Sequence, residues 1–576
     1  MRKALPPVKR KTRNIFIGII IFFLLLAIAF QVFIDRYLEP VINKRLEKLI
    51  VAGSDSLYNF KVDHISVSFW KSSIKVKNLH IQVDSVHYAR REKLANLPAL
   101  TFEIRLANGS IEGIGLLPLL SDKKINIESI SSKNADISFS RHFRKSDKNI
   151  DTSNEPLWKL IQPDIESINI SKIILDDISI NYTNADSART FKWKFEHCST
   201  IIDNTKVDSA SSMDKDRILF SKNVSIQFND IKLQTGDGLY AIETKKLWYS
   251  SAARNVEFEN FAFHPLLGQK AFYRKVGYDK DRFHLDFPKI RLVNFNLPQW
   301  INTNMLSFDT LDLTSPEINV YKDRTAPTDT RSKLGNYPHQ QLHKLPFAIN
   351  IKQIHVSGGQ VSYTEKSRKS GMEGKLEFKK LNGSIKNVTN EVTAIAKNPK
   401  CTIDLHGVLM QYSPLHAVFT FPLDEAAGGN FEVNADISKL GAEQLNAVSV
   451  PLAQASIKSL EISELHYYIK GNERMGTGRL SLLYKNLEID LKKKDEDDGK
   501  MKKRKLLSFL VNKLIVYPDN PMNSGEERKA MAIQTIRDPQ KSFFNLIWKT
   551  LYNSFKEITI RMDRFKEDKS LKKKKK

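Results

Sequence analysis

Few residues of this 576-residue chain have the spacing that chemistry requires. His339 and His343 stand four positions apart in PHQQLHKL, a spacing that can turn two imidazoles toward one metal ion on a helix. No glutamate stands between them, and the neighbouring prolines favour a loop. We therefore expect no metal site at this pair.

The other reactive groups are just as isolated. Cys198 and Cys401 lie far apart, which predicts neither a disulfide framework nor a cysteine zinc site. The acidic run at 495–498 lacks the alternating spacing of a calcium loop, so we interpret it as part of a solvated linker. The sequence contains no G-x-S-x-G, Walker or H-E-x-x-H motif. We expect no cofactor and no catalysis.

A net charge of +25 predicts an anionic partner, either nucleic acid or a membrane. Residues 1–14 are basic and contain no acid, and an uncharged apolar run fills residues 15–34. A helix of that length crosses a hydrocarbon core of about 30 Å. The predicted anchor includes Ile15, Phe22, Leu25, Phe30 and Ile34. The flanking cations predict a cytoplasmic N-terminus, with the bulk of the chain across the membrane and away from nucleic acid.

A cleaved signal peptide is the alternative for this segment. Ala27-Ile28-Ala29 resembles a cleavage site after an apolar core. The apolar run nevertheless continues to Ile34, and this length favours an uncleaved anchor.

Beyond the anchor, the pattern predicts an amphipathic helix over about 37–52 and then β-structure for most of the chain. Recurrent stretches have two alternating apolar arms around a turn, which is typical of β-hairpins. Five such units lie at Phe60–Val83, Ile165–Tyr182, Phe308–Tyr321, Ile349–Tyr363 and Ile457–Ile469. In the fourth unit, SGGQ at 357–360 is interpreted as the hairpin turn.

The first hairpin has a specific predicted pairing. We expect Phe69 to face Ile74, and Val67 to face Val76, across a turn at 70–73.

Each strand of this hairpin also skips one step of the alternation, after Val62 and after Val76. The skip can turn the apolar side chains of the tip into a trough, while the base packs on the helix around Val41 and Leu49. The tip residues are Val67, Phe69, Ile74 and Val76. A bulge in each strand, which keeps a single apolar face throughout, is the alternative.

Few helices are predicted after residue 53. Short turns are expected at 114–121, 156–161 and 297–301, and longer helices at about 438–446 and 542–555. These cannot cover the apolar faces of so many strands. Separate sandwiches are one solution, and one long curved sheet folded into an apolar trough is another. Such a trough suits hydrocarbon chains, because each buried CH₂ contributes about 0.8 kcal/mol.

Several stretches of the sequence are similar to those of a known protein family. VDHISVSFWKSSIKVKNLHIQ follows the apolar run, and GIGLLPLLSDKKINIESI and repeated I-x-x-I-x-I units come next. The chain resembles the AsmA-like superfamily of Gram-negative envelope proteins, most specifically over 1–140. The stretch RDPQKSFFNLIWKTLYNSF is similar to the ending of such proteins in the Bacteroidetes. The resemblance implies an inner-membrane anchor, a periplasmic β-groove, and a role in phospholipid transport or outer-membrane homeostasis.

Two other functions stay open beside lipid transfer. One is a non-enzymatic scaffold that assists outer-membrane protein assembly, with the trough filled by its own side chains. The other is a hydrolase of envelope glycans. For lipid transfer the partners would be an acyl-chain lipid, the membrane, and an outer-membrane or bridging protein.

The chain accordingly divides into seven predicted segments. They are a cytoplasmic tail (1–14), the transmembrane anchor (15–34), an AsmA-like N-terminal region (35–140), a groove of repeated hairpins (141–491), a charged linker (492–505), a C-terminal helical region (506–560) and a polybasic tail (561–576).

The C-terminal helix presents one more alternative. Its predicted apolar face consists of Phe544, Ile547, Trp548, Leu551 and Phe555. With Trp548, Lys572 and Lys576 as contacts, helix and tail could dock on an anionic membrane surface. Alternatively, the helix covers the end of the trough and the lysines are solvated.

Overall fold

The computed structural model confirms a mainly β protein, with strand over 61 % of the residues that it describes and few helices. It divides into a first unit, residues 1–231 and 248–253, and a second unit, residues 232–247 and 254–576. The residues that the structure describes are 36, 40, 44, 47, 50, 51, 54, 56–68, 71–93, 100–114, 124–142, 166–185, 190–211, 213–214, 217–218, 220–303, 305–494, 501–503 and 516–561. The predicted anchor lies outside them.

Long neighbouring strands build the first unit. They are β1 (Tyr58–Lys61), β2 (His64–Ser68), β3 (Ser73–Val83), β4 (Leu100–Glu112), β5 (Lys124–His142), β6 (Ser167–Ala185), β7 (Thr190–Val207) and most of β8 (Ser221–Gln234), with helix α1 (Ser85–Lys93) after β3. β1 and β2 both pair with β3, and each later strand pairs with the one before it. All these pairs are antiparallel except β5 with β6, which is parallel.

The second unit continues this plan. Its strands are β10 (Asn255–Pro265), β11 (Arg282–Val293), β12 (Met305–Thr314), β13 (Glu317–Asp323), β14 (Ala348–Lys366), β15 (Glu373–Thr389), β16 (Lys400–Leu409), β17 (Ser413–Pro422), β18 (Phe431–Gly441), β19 (Ala455–Gly471), β20 (Met475–Lys494), β21 (Met501–Lys503) and β22 (Lys529–Ile536). β9 (Tyr240–Ser250) has residues in both units. From β14 to β20 the pairing is consecutive and antiparallel, and β22 then pairs with β20.

The helices of the second unit are short except near the end. They are α2 (Gln269–Val276), α3 (Leu297–Thr303), α4 (Pro338–His343), α5 (Val392–Lys397), α6 (Ala442–Ala453) and α7 (Phe543–Thr559). The helices predicted at 297–301 and 542–555 are confirmed as α3 and α7, whereas the one predicted at 438–446 begins four residues later. Within the described ranges, no helix combines the length and the apolar content that crossing a membrane requires.

The prediction of repeated hairpins is wrong for four of the five units. Three of the units follow one continuous strand each: Ile165–Tyr182 from Ser167 onward on β6, Ile349–Tyr363 on β14 and Ile457–Ile469 on β19. Phe308–Tyr321 covers β12 and β13, which both run parallel to β14 and so follow one line. The SGGQ stretch is not a turn but a bulge, with Gly358 at φ +68° and a register shift beside it.

Bulges explain the I-x-x-I spacing that suggested turns. In β19 the register against β20 shifts between Ile457 and Ser459 and again between Ile462 and Glu464. The apolar residues on either side of each shift nevertheless pack into one core. Asn and Asp tolerate the left-handed conformation that many bulges need. Eight of the described strands contain an Asn or Asp in the left-handed conformation: Asn78, Asn134, Asp177, Asn204, Asp230, Asn260, Asn387 and Asn486.

The first hairpin does form, but two residues out of the predicted register. Val67 faces Ile74 rather than Val76, and Ser68 faces Ser73 across the turn. The skip after Val76 contains Asn78 in the left-handed conformation, at φ +49°. Val62 and Leu79, before and after the skips, pack into the same cluster as the tip, which supports the alternative of a single apolar face throughout.

Both ends of the predicted linker are paired strand, since β20 runs to Lys494 and β21 covers 501–503. The stretch around His339 and His343, where the neighbouring prolines favoured a loop, forms the short helix α4. Val41 and Leu49, the predicted contacts of the hairpin base, lie outside the described residues.

Candidate functional site

The predicted groove residues are buried in the core of the first unit. Val67, Ile74 and Val76 are 2 %, 3 % and 9 % exposed. They pack with Ile65 and Ile127 rather than facing solvent. Phe69 lies outside the described residues.

A more exposed apolar surface lies further along the same strands, which we call the isoleucine row. It consists of Ile81, Ile104, Ile137, Ile180 and Phe195, on β3, β4, β5, β6 and β7. Each member is the direct cross-strand partner of the next. All five are half-buried, so they are neither solvated nor fully covered by protein.

An aromatic row runs beside the isoleucine row, two residues along each strand and therefore on the same face. Phe102 pairs with Phe139, which pairs with Tyr182. Tyr58 stacks on Phe102 with ring centroids 4.4 Å apart, and its hydroxyl accepts a hydrogen bond from the Phe102 amide. Burial raises the pKa of Tyr58, so its phenol stays neutral.

The opposite face of these strands is charged. Between the apolar positions stand His80, Glu103 and Arg105. The Glu103 carboxylate lies 2.7 Å from the His80 ring nitrogen and 2.6 Å from an Arg105 guanidinium nitrogen. The strict apolar–polar division predicts that one face avoids water and the other seeks it.

Helices provide little cover on the apolar side in the described part of the first unit. Among the described helices, those that pack extensively on strands are α3, α6 and α7, all in the second unit. A half-buried row of hydrocarbon side chains that no described helix covers extensively can desolvate an acyl chain, and it needs no reactive group to do so.

The thiols do not offer a nucleophile. Cys198 is fully buried beside Ala135 and Ile178, and burial raises its pKa to about 12. Cys401 is buried in the second unit, where burial raises its pKa to about 11. Both therefore stay protonated and unreactive at neutral pH.

The core beneath α7 in the second unit is filled by its own side chains. Tyr337, Phe421, Phe431 and Phe543 form an aromatic cluster, with Phe543 4.7 Å from Phe431 and 4.9 Å from Tyr337 between ring centroids. Helix α7 contributes Phe543 and packs on β20 and β22. This region is a closed core rather than an open surface.

The predicted face of α7 splits in two. Ile547, Leu551 and Phe555 pack against the core, whereas Phe544 and Trp548 are 64 % and 53 % exposed. Tyr552, which was not predicted, is 51 % exposed. Phe544, Trp548 and Tyr552 follow each other at intervals of four residues and form the aromatic ridge of α7. Lys572 and Lys576 lie outside the described residues.

The histidine pair considered for metal binding does not assemble. His339 is 3 % exposed, packs on the Phe421 ring at 5.0 Å, and has no hydrogen-bond partner at either ring nitrogen. His343 is exposed. Burial lowers the pKa of His339 to about 4, so its imidazole stays neutral.

A different imidazole cluster was missed. On β16 and β17, His406 faces His416 directly, with parallel rings 4.0 Å apart. Asp404 lies two residues before His406 on the same face, with Oδ1 2.9 Å from His416 Nε2. The sequence did contain a signal for this cluster, namely Asp-x-His followed by a second histidine across a short turn. It could be used only if the hairpin register was known.

The comparisons with known proteins add no assignment. No protein-family model matches this chain, and no curated protein matches it either.

Proposed function

We propose that this chain binds acyl chains of phospholipid on the apolar face of its first unit. It would do so as an inner-membrane-anchored periplasmic protein of the AsmA-like type, acting in lipid transport or outer-membrane homeostasis. The isoleucine row carries this proposal, because five directly paired, half-buried hydrocarbon side chains lie on strands whose other face is charged.

Energetics favour such a ligand over a polar one. The row offers no carboxylate, imidazole or amine, so recognition rests on the removal of hydrocarbon from water. A sixteen-carbon chain gains on the order of 10 kcal/mol at about 0.8 kcal/mol per CH₂, before the cost of its lost motion. The anchor predicted at 15–34 and the curved groove of the family would place this face beside the source membrane.

A scaffold function is the second candidate, and the filled core of the second unit favours it. There the aromatic cluster around Phe543 closes the core beneath α7. A chain whose whole apolar face were closed in this way would organise partners rather than hold lipid.

Lipid analysis of the detergent-extracted, full-length protein separates the two. We expect mass spectrometry to find phospholipid bound to the native chain and much less bound to Ile180→Asp. The matched control is Asn181→Asp, which puts the same charge on the opposite face of β6, opposite Lys194. Native protein without lipid would contradict lipid binding and favour the scaffold. Equal lipid in both variants, with both folded by circular dichroism, would place the site elsewhere.

A further inference from the structure

A row of imidazoles and carboxylates crosses four adjacent strands of the second unit. His406 on β16 faces His416 on β17, which faces Asp436 on β18, which faces His466 on β19. Asp404 stands beside this row. Direct cross-strand partners hold their Cβ atoms about 5 Å apart, so the backbone itself brings these groups together.

We propose that Asp404, His406 and His416 bind a divalent transition-metal ion of the Zn²⁺ type. The Asp404 Oδ1 atom lies 2.9 Å from His416 Nε2 and 3.7 Å from His406 Nε2. One ligand atom from each of the three residues falls within 4.8 Å of the others. Ligand atoms of a tetrahedral zinc site stand about 3.4 Å apart at bond lengths near 2.1 Å. Small side-chain rotations therefore suffice to complete the site.

The donor set selects the class of metal. Two imidazole nitrogens and one carboxylate oxygen suit Zn²⁺, Co²⁺, Ni²⁺ or Cu²⁺, whereas Ca²⁺ and Mg²⁺ prefer oxygen alone. The His406 and His416 rings lie parallel, with their centroids 4.0 Å apart. One metal ion can accept a lone pair from both.

A second layer supports His416. Its Nε2 atom faces Asp404, while its Nδ1 atom lies 3.8 Å from Asp436 Oδ2. Asp436 Oδ1 is in turn 2.6 Å from His466 Nδ1. A carboxylate behind a ligating histidine fixes the ring orientation and raises its basicity. Asp436 is thus a positioning residue rather than a ligand.

The site would keep open coordination positions. The side chains of Asp404, His406 and His416 are 49 %, 65 % and 36 % exposed. Three protein ligands with solvent access leave room for water on the metal. The ion would join β16 to β17 on the charged side of the sheet, apart from the lipid-binding proposal.

The test uses the full-length chain, carrying an affinity tag without histidine and freed of metal with a chelator. Titration calorimetry with Zn²⁺ and visible absorption with Co²⁺ measure stoichiometry and ligand field. We expect one ion per native chain to be lost in His416→Gln and in Asp404→Asn. Asp436→Asn should retain the ion with affinity weakened by about 10- to 100-fold.

His355→Gln is the matched control. His355 is also exposed and lies 3.0 Å from a carboxylate, Asp312, across paired strands. Its removal should change neither stoichiometry nor the Co²⁺ spectrum. The proposal is overturned if the native chain binds no Zn²⁺ at 100-fold molar excess. It is equally overturned if His416→Gln, with an unchanged circular dichroism spectrum, binds as the native chain does.

Discussion

Gly478 of β20 and Thr550 of α7 touch, because a Cβ atom on Gly478 would lie 2.7 Å from Thr550 Cγ2. Thr550 is fully buried and donates its hydroxyl hydrogen to Leu546 O within the helix. Ser554, one turn later, is also fully buried and would meet the same added Cβ at 3.0 Å. Helix α7 can therefore pack this closely on β20 because Gly478 has no side chain.

Gly478→Ala should lower the free energy of unfolding of the second unit by about 1–3 kcal/mol, the usual cost of overpacking. The added methyl would push α7 away from the sheet. Urea unfolding followed by circular dichroism measures the effect. Gly236→Ala is the control, since nothing lies within 4 Å of its added Cβ. Equal midpoints for the two variants would contradict the close packing.

His339 predicts a pH dependence of stability. Its pKa is lowered by burial to about 4 in the folded chain, whereas an unfolded imidazole titrates near 6.5. Below pH 6.5 the unfolded chain binds a proton that the folded chain does not. The contribution of His339 to the free energy of unfolding is therefore constant above pH 6.5. As the pH falls from 6.5 toward 4, the free energy of unfolding decreases by about 3 kcal/mol.

His339→Phe isolates this contribution. Phenylalanine keeps the ring stacked against Phe421, and the change breaks no hydrogen bond because neither imidazole nitrogen has a partner. We expect the variant to lose less stability than the native chain between pH 6.5 and 4, as urea midpoints would show. Parallel pH profiles for the two proteins would rule out His339 as the source.

The sequence pattern was sufficient for strand content but not for strand ends. Both a hairpin and a bulged strand place apolar residues in two alternating arms with a break between them. Gly358 marks either a turn or a bulge, and the outcome depends on whether the neighbouring strand continues past it. β13 does continue beside β14, and that fact is not local to the stretch.

Sites that depend on strand register could not be predicted from the sequence, because register is also set by non-local pairing. His406 and His416 are ten residues apart in sequence, and they meet because the turn between β16 and β17 sets them opposite each other. His339 and His343 had the better local spacing, yet His339 is buried against Phe421 while His343 is exposed. Helix α7 was predictable because its period is local, whereas which of its apolar residues face the sheet was not.

Val67→Asp distinguishes a core residue from a lipid contact. Val67 is 2 % exposed, so a carboxylate there would be buried without a partner. We expect the free energy of unfolding of the first unit to fall by about 3 kcal/mol or more. Any lipid binding should be lost with the fold. Ile180→Asp, in the half-buried isoleucine row, should leave the unit folded. Val67→Asp with native stability would contradict the burial of the hairpin tip.

The aromatic ridge of α7 predicts contact with an anionic membrane. Phe544, Trp548 and Tyr552 project from a helix whose other face packs on β20 and β22. The ridge can therefore contact a membrane without disturbing the packing of the core. Aromatic side chains favour the membrane interface. Lys549 is exposed beside the ridge, and the Lys556 ammonium lies 4.8 Å from the Tyr552 ring centroid.

Cations next to an apolar ridge supply the two weak signals that peripheral binding needs. Each lysine near an anionic surface contributes about 1 kcal/mol, and salt screens it. We expect the full-length chain, with its N-terminal segment held in a neutral nanodisc, to float with anionic vesicles but not with neutral ones. The bound fraction should fall as salt rises.

Joint replacement of Phe544, Trp548 and Tyr552 by serine should abolish flotation, whereas Val392→Ser, at a residue 77 % exposed on α5, should not. Recovery that is equal with both vesicle types and insensitive to salt would refute electrostatic docking.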